Sequence, residues 1–191
     1  MSSHHIVREK QEPALLILGM DAFTDELLGQ LLEWSPTIMV TDDTAEKLNI
    51  AGIKVDIIVG SSQATEDLQS DIKYIRASET HCTQAALNYL VTNKYPAVNV
   101  VTDDFVMSDY LTFADQINLV IYCGNKKIYP VVSGFSKWKP ADEAIELMSG
   151  VDNLQAAGLK KISESQYQTL ADGFFSLQFD KPYIFIAEDI L

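Results

Sequence analysis

The sequence predicts an α/β fold: a parallel sheet with helices on both faces, followed by a small β-rich C-terminal domain. Over residues 14–123, short apolar runs rich in Ile and Val alternate with segments of helical spacing. Such runs are typical of strands buried on both faces, and the alternation is typical of a parallel sheet. From about Gly124, turn signals and β-rich runs replace this alternation. We therefore divide the chain into an N-terminal tail at 1–13, an α/β domain at 14–123 and a β-rich domain at 124–191.

The elements of the α/β domain follow from these patterns in chain order. Strands are predicted for the apolar runs 15–18, 38–40, 55–59, 72–75, 98–101 and 119–122. The first helix is indicated by leucines at helical spacing after Thr24, a suitable N-cap. A second helix can begin near Thr44, and a third covers residues 85–90.

The C-terminal part predicts strands at 128–132, 174–179 and 183–186. The segment 141–148 stays undecided, because its composition favours a helix while Ile145 and Leu147 also suit an alternating strand. The tail is rich in aromatic side chains that can form either a core or an interface, namely Phe174, Phe175, Phe179, Tyr183 and Phe185.

Charge excludes several classes of function. The chain of 191 residues has 14 basic and 27 acidic side chains, a net charge of −13. Nucleic-acid binding needs a basic face, so we expect no such partner. No apolar run reaches the roughly 18 residues of a membrane span, and the polar stretch 1–13 lacks a signal-peptide core. We therefore expect a cytoplasmic protein without membrane contact.

Acidic residues follow several predicted strands. Asp21 follows the first strand, Asp42 and Asp43 the second, and Asp103 and Asp104 the fifth. Ligands of open parallel sheets bind at the carboxyl ends of the strands, where carboxylates can hold Mg²⁺ together with a nucleotide phosphate. The alternative is that these aspartates cap or stabilise the helices that follow.

Common catalytic motifs are missing from the sequence. Neither G-x-G-x-x-G nor G-x-x-x-x-G-K-[ST] occurs, and there is no nucleophile elbow. The two cysteines, Cys82 and Cys123, provide no disulfide framework or zinc spacing, so we expect buried, reduced thiols. His81 lies beside Cys82, and we interpret it as a surface or helix-start residue.

Residues 41–60 resemble a known family. The sequence TDDTA at 41–45 is followed by a helical segment and by GIKVDIIVG at 52–60. This is similar to the A-D-G-A-A and G-I-x-P-D-x-I-I-G-D-F-D-S motifs of the thiamin pyrophosphokinase family. The match continues in register, with 79–87 at the D-x-T-D-x-E-x-A-L motif and 105–110 at the G-G-R-x-D-H motif. It covers most of the chain from Ala14 onward and is strongest over 38–90.

The resemblance implies a fold, an activity and a set of site residues. The family has a β-rich C-terminal domain that pairs in a homodimer, and it converts thiamin and ATP to thiamin diphosphate and AMP with Mg²⁺. Asp42 and Asp109 would then be the catalytic and metal-binding residues. The positions implied to bind ATP or its phosphates are Asp42, Asp43, Gly60, Ser61, Ser62, Asp103 and Asp104.

This chain departs from the family at charged positions. After Gly60 the family has two aspartates, whereas this sequence reads SSQA at 61–64. The family's Thr-Asp pair is His81-Cys82 here, its arginine is Met107 and its histidine is Tyr110. Pyrophosphoryl transfer depends on metal and basic groups that neutralise phosphate charge. We therefore expect weak or lost thiamin pyrophosphokinase activity.

Two other hypotheses stay open. The first is a non-catalytic ligand-binding or interaction module on the same fold, whose small-molecule ligand would be thiamin or a nucleotide. The second is a nucleotide-binding α/β protein of another family, which the in-register run from Thr41 to Leu90 makes the least favoured.

Overall fold

The computed structural model describes residues 12–61, 72–78 and 81–190. The chain divides into two compact units, Met1–Leu119 and Val120–Leu191. The first unit contains parallel strands and helices, and the second consists of β-strands. The predicted α/β fold class with a β-rich C-terminal part is therefore confirmed.

The described part of the first unit contains five strands that pair only in parallel, in the order β5-β1-β2-β3-β4. The strands are β1 (Ala14–Ile17), β2 (Ile38–Thr41), β3 (Ile57–Gly60), β4 (Lys73–Arg76) and β5 (Ala97–Thr102). The helices are α1 (Asp25–Leu32), α2 (Asp42–Ile50) and α3 (Cys82–Thr92). Two 3-10 turns, Met107–Asp109 and Leu111–Phe113, follow β5.

The strand order determines where the helices lie. The chain moves from β1 to β2 and β3 in one direction across the sheet, and it returns through α3 from β4 to β5. Because parallel crossovers are right-handed, α1 and α2 cover one face and α3 covers the other. The direction of winding changes between β1 and β5, so the topological switch point of the sheet lies between their carboxyl ends.

Local sequence explains most of these elements. Strands β1 and β3 are buried along their whole length, as their continuous apolar runs predict. Thr24 is the N-cap of α1, and its hydroxyl accepts a hydrogen bond from the amide of Leu27 at 3.3 Å. The run at 72–75 differs from the expectation, because β4 is an edge strand whose Lys73 and Arg76 are exposed. A strand at a sheet edge buries fewer of its side chains.

The second unit is antiparallel. Its larger set of strands has the order β11-β12-β9-β14-β7-β6, and a three-stranded sheet has the order β10-β13-β8. The strands are β6 (Asn118–Cys123), β7 (Lys126–Val131), β8 (Phe135–Lys139), β9 (Ala144–Leu147), β10 (Gln155–Ala157), β11 (Leu159–Lys161), β12 (Gln166–Thr169), β13 (Gly173–Gln178) and β14 (Ile184–Asp189). Strand β6 begins at the end of the first unit, and its residues 121–123 pair with β7.

The undecided segment 141–148 contains strand β9. Ile145 and Leu147 belong to the core of the second unit, while Ala144, the first residue of the strand, is exposed. Alternation therefore prevails over helix propensity, because it buries two large aliphatic side chains on one face.

Most aromatic residues of the tail belong to the core. Phe175, Phe179 and Phe185 are buried, and Tyr183 is half-buried. Phe174 is 72% exposed, so it is the only one of the five predicted interface aromatics that lies openly on the surface. Alternation along β13 accounts for the difference, because Phe174 and its neighbour Phe175 point to opposite faces of the strand.

Two further expectations concern thiols and membranes. Cys82 is buried, Cys123 is half-buried, and the two are not joined in a disulfide. Burial of the thiols is thus confirmed for Cys82 only. Within the described ranges, no helix is long and apolar enough to cross a membrane.

Candidate functional site at the carboxyl ends of the parallel strands

Asp42 lies where the ends of three strands meet. It is the first residue of α2, directly after β2. The hydroxyl of Tyr74 on β4 donates a short hydrogen bond to its carboxylate. A Cβ atom added to Gly60, the last residue of β3, would collide with the same carboxylate. The side chain of Asp42 is therefore held over Gly60 by Tyr74, a residue that the sequence did not single out.

The start of α2 is fixed to β1 by a threonine. The amide of Thr41 donates to the hydroxyl of Thr44 at 3.0 Å, and this buried hydroxyl donates to the carbonyl of Ile17 at 3.0 Å. Asp42 and Asp43 lie in the first turn of α2, where carboxylates interact favourably with the helix dipole. The exposed Asp43 has the position that the helix-stabilising alternative predicts.

Asp103 occupies the switch point between β1 and β5. Its carboxylate accepts hydrogen bonds from the amides of Asp21 at 3.0 Å and Ala22 at 2.9 Å. A Cβ atom added to Gly19 would lie 2.5 Å from Oδ2 of Asp103, so the loop after β1 passes close to this carboxylate. Asp103 thus ties that loop to the end of β5. This is a structural role that neither the metal hypothesis nor the capping hypothesis describes.

Asp104 is exposed, and its backbone closes a local turn. Its amide donates to the hydroxyl of Thr102 at 3.3 Å, and its carbonyl accepts from that hydroxyl at 2.8 Å.

One lysine side chain lies at this acidic edge of the sheet. Nζ of Lys47 on α2 lies 2.5 Å from Oδ1 of Asp21, and both side chains are largely exposed. The hydrogen bond that Lys47 donates to Asp21 raises the pKa of Lys47, partial loss of hydration opposes this, and the negative charges of Asp21, Asp103 and Asp43 raise the pKa further. Lys47 supplies positive charge next to the candidate site. This pairing could not be recognised from the sequence, because Asp21 is 26 residues away along the chain.

Asp109 lies in the first 3-10 turn after β5. Its amide donates to the carbonyl of Val106 at 3.0 Å, and its side chain is half-buried. The neighbouring Tyr110, at the position of the family's histidine, is buried and stacks on Phe105 with 5.5 Å between ring centroids. Tyr110 therefore packs in the interior instead of presenting a basic group.

The remaining predicted site residues are Ser61 and Ser62. Ser61 is exposed directly after β3, and Ser62 lies outside the described residues. Over the ranges 12–61, 72–78 and 81–190, no group of three or more His, Cys, Asp or Glu side chains could hold a metal ion. The pairing of Asp42 with Asp109 at one metal stays a prediction.

The described carboxylates fit a magnesium site poorly. Asp42 already accepts from Tyr74, and both oxygens of Asp103 accept backbone amides. A magnesium ion at Asp42 or Asp103 would share carboxylate oxygens that already accept these hydrogen bonds, and Ser61 beside them offers no negative charge.

Comparison with known proteins identifies the fold. No protein-family model matches the sequence, and no curated protein matches it. Among solved structures, thiamin pyrophosphokinase from Geobacillus thermodenitrificans is similar, with 13% identity and a TM-score of 0.68 over 92% of this chain and 97% of that chain. Thiamine pyrophosphokinase from Bacillus subtilis has 12% identity and a TM-score of 0.63 over 93% and 99%.

A eukaryotic structure is similar as well. Thiamin pyrophosphokinase from Candida albicans has 16% identity and a TM-score of 0.62, over 94% of this chain and 89% of that chain. The likeness spans both units of the chain at low identity. The chain therefore has a thiamin pyrophosphokinase-like fold.

Proposed function

We propose that this protein binds a small ligand, thiamin or an adenine nucleotide, at the carboxyl ends of its parallel strands and transfers pyrophosphate weakly or not at all. The observation that carries the proposal is the arrangement of Asp42, which Tyr74 holds over Gly60. The side chain of Asp42 therefore has a fixed position at the ends of the strands. Its charge, however, is engaged by a protein hydroxyl.

The chemistry of pyrophosphoryl transfer supports the loss of activity. The transferred group carries several negative charges, and catalysis depends on metal ions and basic side chains that neutralise them. Here Ser61 stands at a family aspartate, Met107 at the family arginine and Tyr110 at the family histidine. Lys47 supplies positive charge at the acidic edge of the sheet, but it is already paired with Asp21.

An active enzyme is the second candidate. It would use Mg²⁺ and ATP, with Asp42 and Asp109 as metal ligands, and the overall likeness to thiamin pyrophosphokinases favours it. The two candidates make different predictions for ligand binding and turnover.

Thermal unfolding with separate additions of thiamin, AMP and ATP, each with and without Mg²⁺, tests the binding part of the proposal. A ligand at one hundred times its dissociation constant stabilises the folded state by about 2.7 kcal/mol. We expect stabilisation by thiamin or a nucleotide that depends little on Mg²⁺. Stabilisation by ATP only with Mg²⁺ would favour the active enzyme, and no stabilisation by any of them would contradict the proposal.

We also propose a homodimer that forms through the second unit. Trp138 on β8 and Phe174 on β13 are direct cross-strand partners and are 52% and 72% exposed. Two adjacent exposed aromatic side chains are typical of an interface core. Light scattering at high micromolar concentration tests this, and a mass of 21.3 kDa would exclude the dimer.

A further inference from the structure

Three lysines of the second unit lie close to one buried glutamate. Lys127 is on β7, and Lys137 and Lys139 are on β8; we call these three the lysine cluster. The glutamate is Glu188 on β14, whose side chain is 4% exposed. The cross-strand partner of Glu188 is Lys127, and that of Lys127 on the other side is Tyr122. Tyr122, Lys127 and Glu188 therefore form a row on one face of the larger sheet.

The carboxylate of Glu188 has a full set of donors. Nζ of Lys137 lies 2.8 Å from Oε1 and 2.7 Å from Oε2, and Nζ of Lys139 lies 3.1 Å from Oε2. The hydroxyl of Tyr129 donates a short hydrogen bond to Oε1. Glu188 therefore fixes Lys137 and Lys139 in place and has little remaining capacity for a third ammonium group.

Lys127 is the member of the cluster that lacks an ion pair within the described part of the chain. Its Nζ lies 5.9 Å from the ring centroid of Tyr122, which is a weak cation–π contact. Burial lowers the pKa of Lys127, the charges of Lys137 and Lys139 lower it further, and only Glu188 opposes them. An anion next to Lys127 would relieve this repulsion.

The charges around the cluster do not balance. Lys127, Lys137 and Lys139 carry three positive charges, whereas the acidic side chains near them are Glu188 and Glu143, which lies 3.5 Å from Lys139. The opposite face of the same sheet has Lys126 paired with Asp189 and Glu146. An excess positive charge on one face is unusual in a chain with a net charge of −13.

We propose that the lysine cluster binds a small phosphate-class anion, either inorganic phosphate or the phosphate group of a monoester. A tetrahedral dianion presents oxygens in several directions, so it can accept hydrogen bonds from Lys127 on one strand and from lysines of β8 on another. Strand β8 is an edge strand of the three-stranded sheet, and the side chain of its Lys137 is 35% exposed. The site uses residues of the second unit alone and does not depend on the proposed function.

The test is a titration of the full chain with inorganic phosphate at constant ionic strength, followed by calorimetry. We expect saturable binding with a dissociation constant of about 1 mM, and a weakening of about tenfold or more in Lys127→Met, since a charge-assisted hydrogen bond contributes roughly that factor. Lys127→Arg keeps the charge and should keep binding. Lys160→Met is the matched control, because Lys160 is exposed on β11, and it should bind like the wild type.

Nuclear magnetic resonance provides a measurement that needs no variant. With lysine side chains labelled at Cε, phosphate should shift the resonance of Lys127 with the same dissociation constant. Glycerol phosphate in a parallel titration distinguishes the two sources, because tighter binding of the ester would identify a monoester as the ligand. Absence of saturable binding of both anions to the wild type, equal phosphate affinity in Lys127→Met, or an unmoved Lys127 resonance would each overturn the proposal.

Discussion

The carboxylate of Asp42 lies so close to Gly60 that even one added methyl group at this glycine would collide with it. Asp42 begins α2 and Gly60 ends β3, so their contact joins neighbouring elements at the edge where ligands of parallel sheets bind. Tyr74 fixes the carboxylate from β4. The proposed function depends on this arrangement.

Gly60→Ala should push Asp42 out of its position and destabilise the protein by about 1–3 kcal/mol, because overpacking forces neighbouring groups to shift. Gly29→Ala is the matched control. Gly29 lies in α1 with open space around it, so an alanine there should raise the free energy of unfolding by roughly 0.5–1 kcal/mol. Denaturant unfolding of both variants measures the difference. Equal stabilities of Gly60→Ala and the wild type would contradict the contact.

Tyr74→Phe removes the hydroxyl that donates to Asp42 and should cost about 1 kcal/mol of stability. It also leaves this carboxylate more available to a divalent cation, so we expect tighter Mn²⁺ binding, measured by electron paramagnetic resonance. Tyr95→Phe is the control, because the hydroxyl of Tyr95 donates to Thr37 at 3.3 Å, and Thr37 lies at the other end of β2 from Asp42. Unchanged Mn²⁺ affinity in Tyr74→Phe would show that the hydroxyl does not restrict the site.

The sequence predicts the elements of the first unit well because their signals are local. Continuous apolar runs mark β1 and β3, and Thr24 marks the start of α1. The second unit was harder to predict. Strands β10 and β11 have only three residues each and few apolar side chains, so neither hydrophobic run nor alternation distinguishes them from loops.

The site was predicted only in part, because its hydrogen bonds join distant parts of the chain. Acidic residues at strand ends were recognisable from the sequence. The partners of Asp103 lie 82 and 81 residues away, and Tyr74 looked like any aromatic residue of an apolar run. Composition cannot indicate whether such a carboxylate faces a ligand or a backbone amide. Only the folded arrangement of β1 and β5 determines this for Asp103.

Asp103→Ala should destabilise the protein by about 1 kcal/mol, because the amides of Asp21 and Ala22 lose their acceptor. The effect stays moderate because Asp103 is exposed and water can replace the carboxylate. Asp104→Ala changes an exposed neighbour whose described hydrogen bonds are made by the backbone, so it should stay within about 0.5 kcal/mol of the wild type. Chemical denaturation compares the two variants, and equal losses would argue against the bridging role of Asp103.

Glu188→Gln should cost about 2–4 kcal/mol, because it leaves Lys137 and Lys139 without their buried partner. Glu164→Gln is the control. Its side chain is 99% exposed and lies 3.3 Å from Lys161, and such surface pairs contribute only up to about 1 kcal/mol. Thermal and denaturant unfolding should separate the two variants clearly. A loss below 1 kcal/mol in Glu188→Gln would contradict the buried network.

The same glutamate makes stability depend on pH. Burial by itself would raise the pKa of Glu188, but hydrogen bonds from Lys137 and Tyr129 outweigh it and lower the pKa below the usual 4.5. The unfolded state therefore binds a proton at a higher pH than the folded state does. The contribution of Glu188 is present above about pH 4.5 and is lost as pH falls through its lowered pKa. Unfolding curves of Glu188→Gln should show a smaller loss of stability in this acidic range than the wild type.

Turnover is the prediction that separates the proposed function from an active enzyme. With Mg²⁺, ATP and thiamin, production of AMP and thiamin diphosphate should be absent or severely reduced relative to an active thiamin pyrophosphokinase. Groups that act together on one transition state lose most of their joint effect when some of them are removed. We therefore expect that the few surviving aspartates do not support even a fraction of the normal rate. Restoring acids with Ser61→Asp, Gln63→Asp and Cys82→Asp should raise the affinity for Mg²⁺ if the backbone follows the family. Robust turnover by the unmodified chain would show that Asp42, Asp109 and unrecognised ligands suffice, and the protein would then be an enzyme.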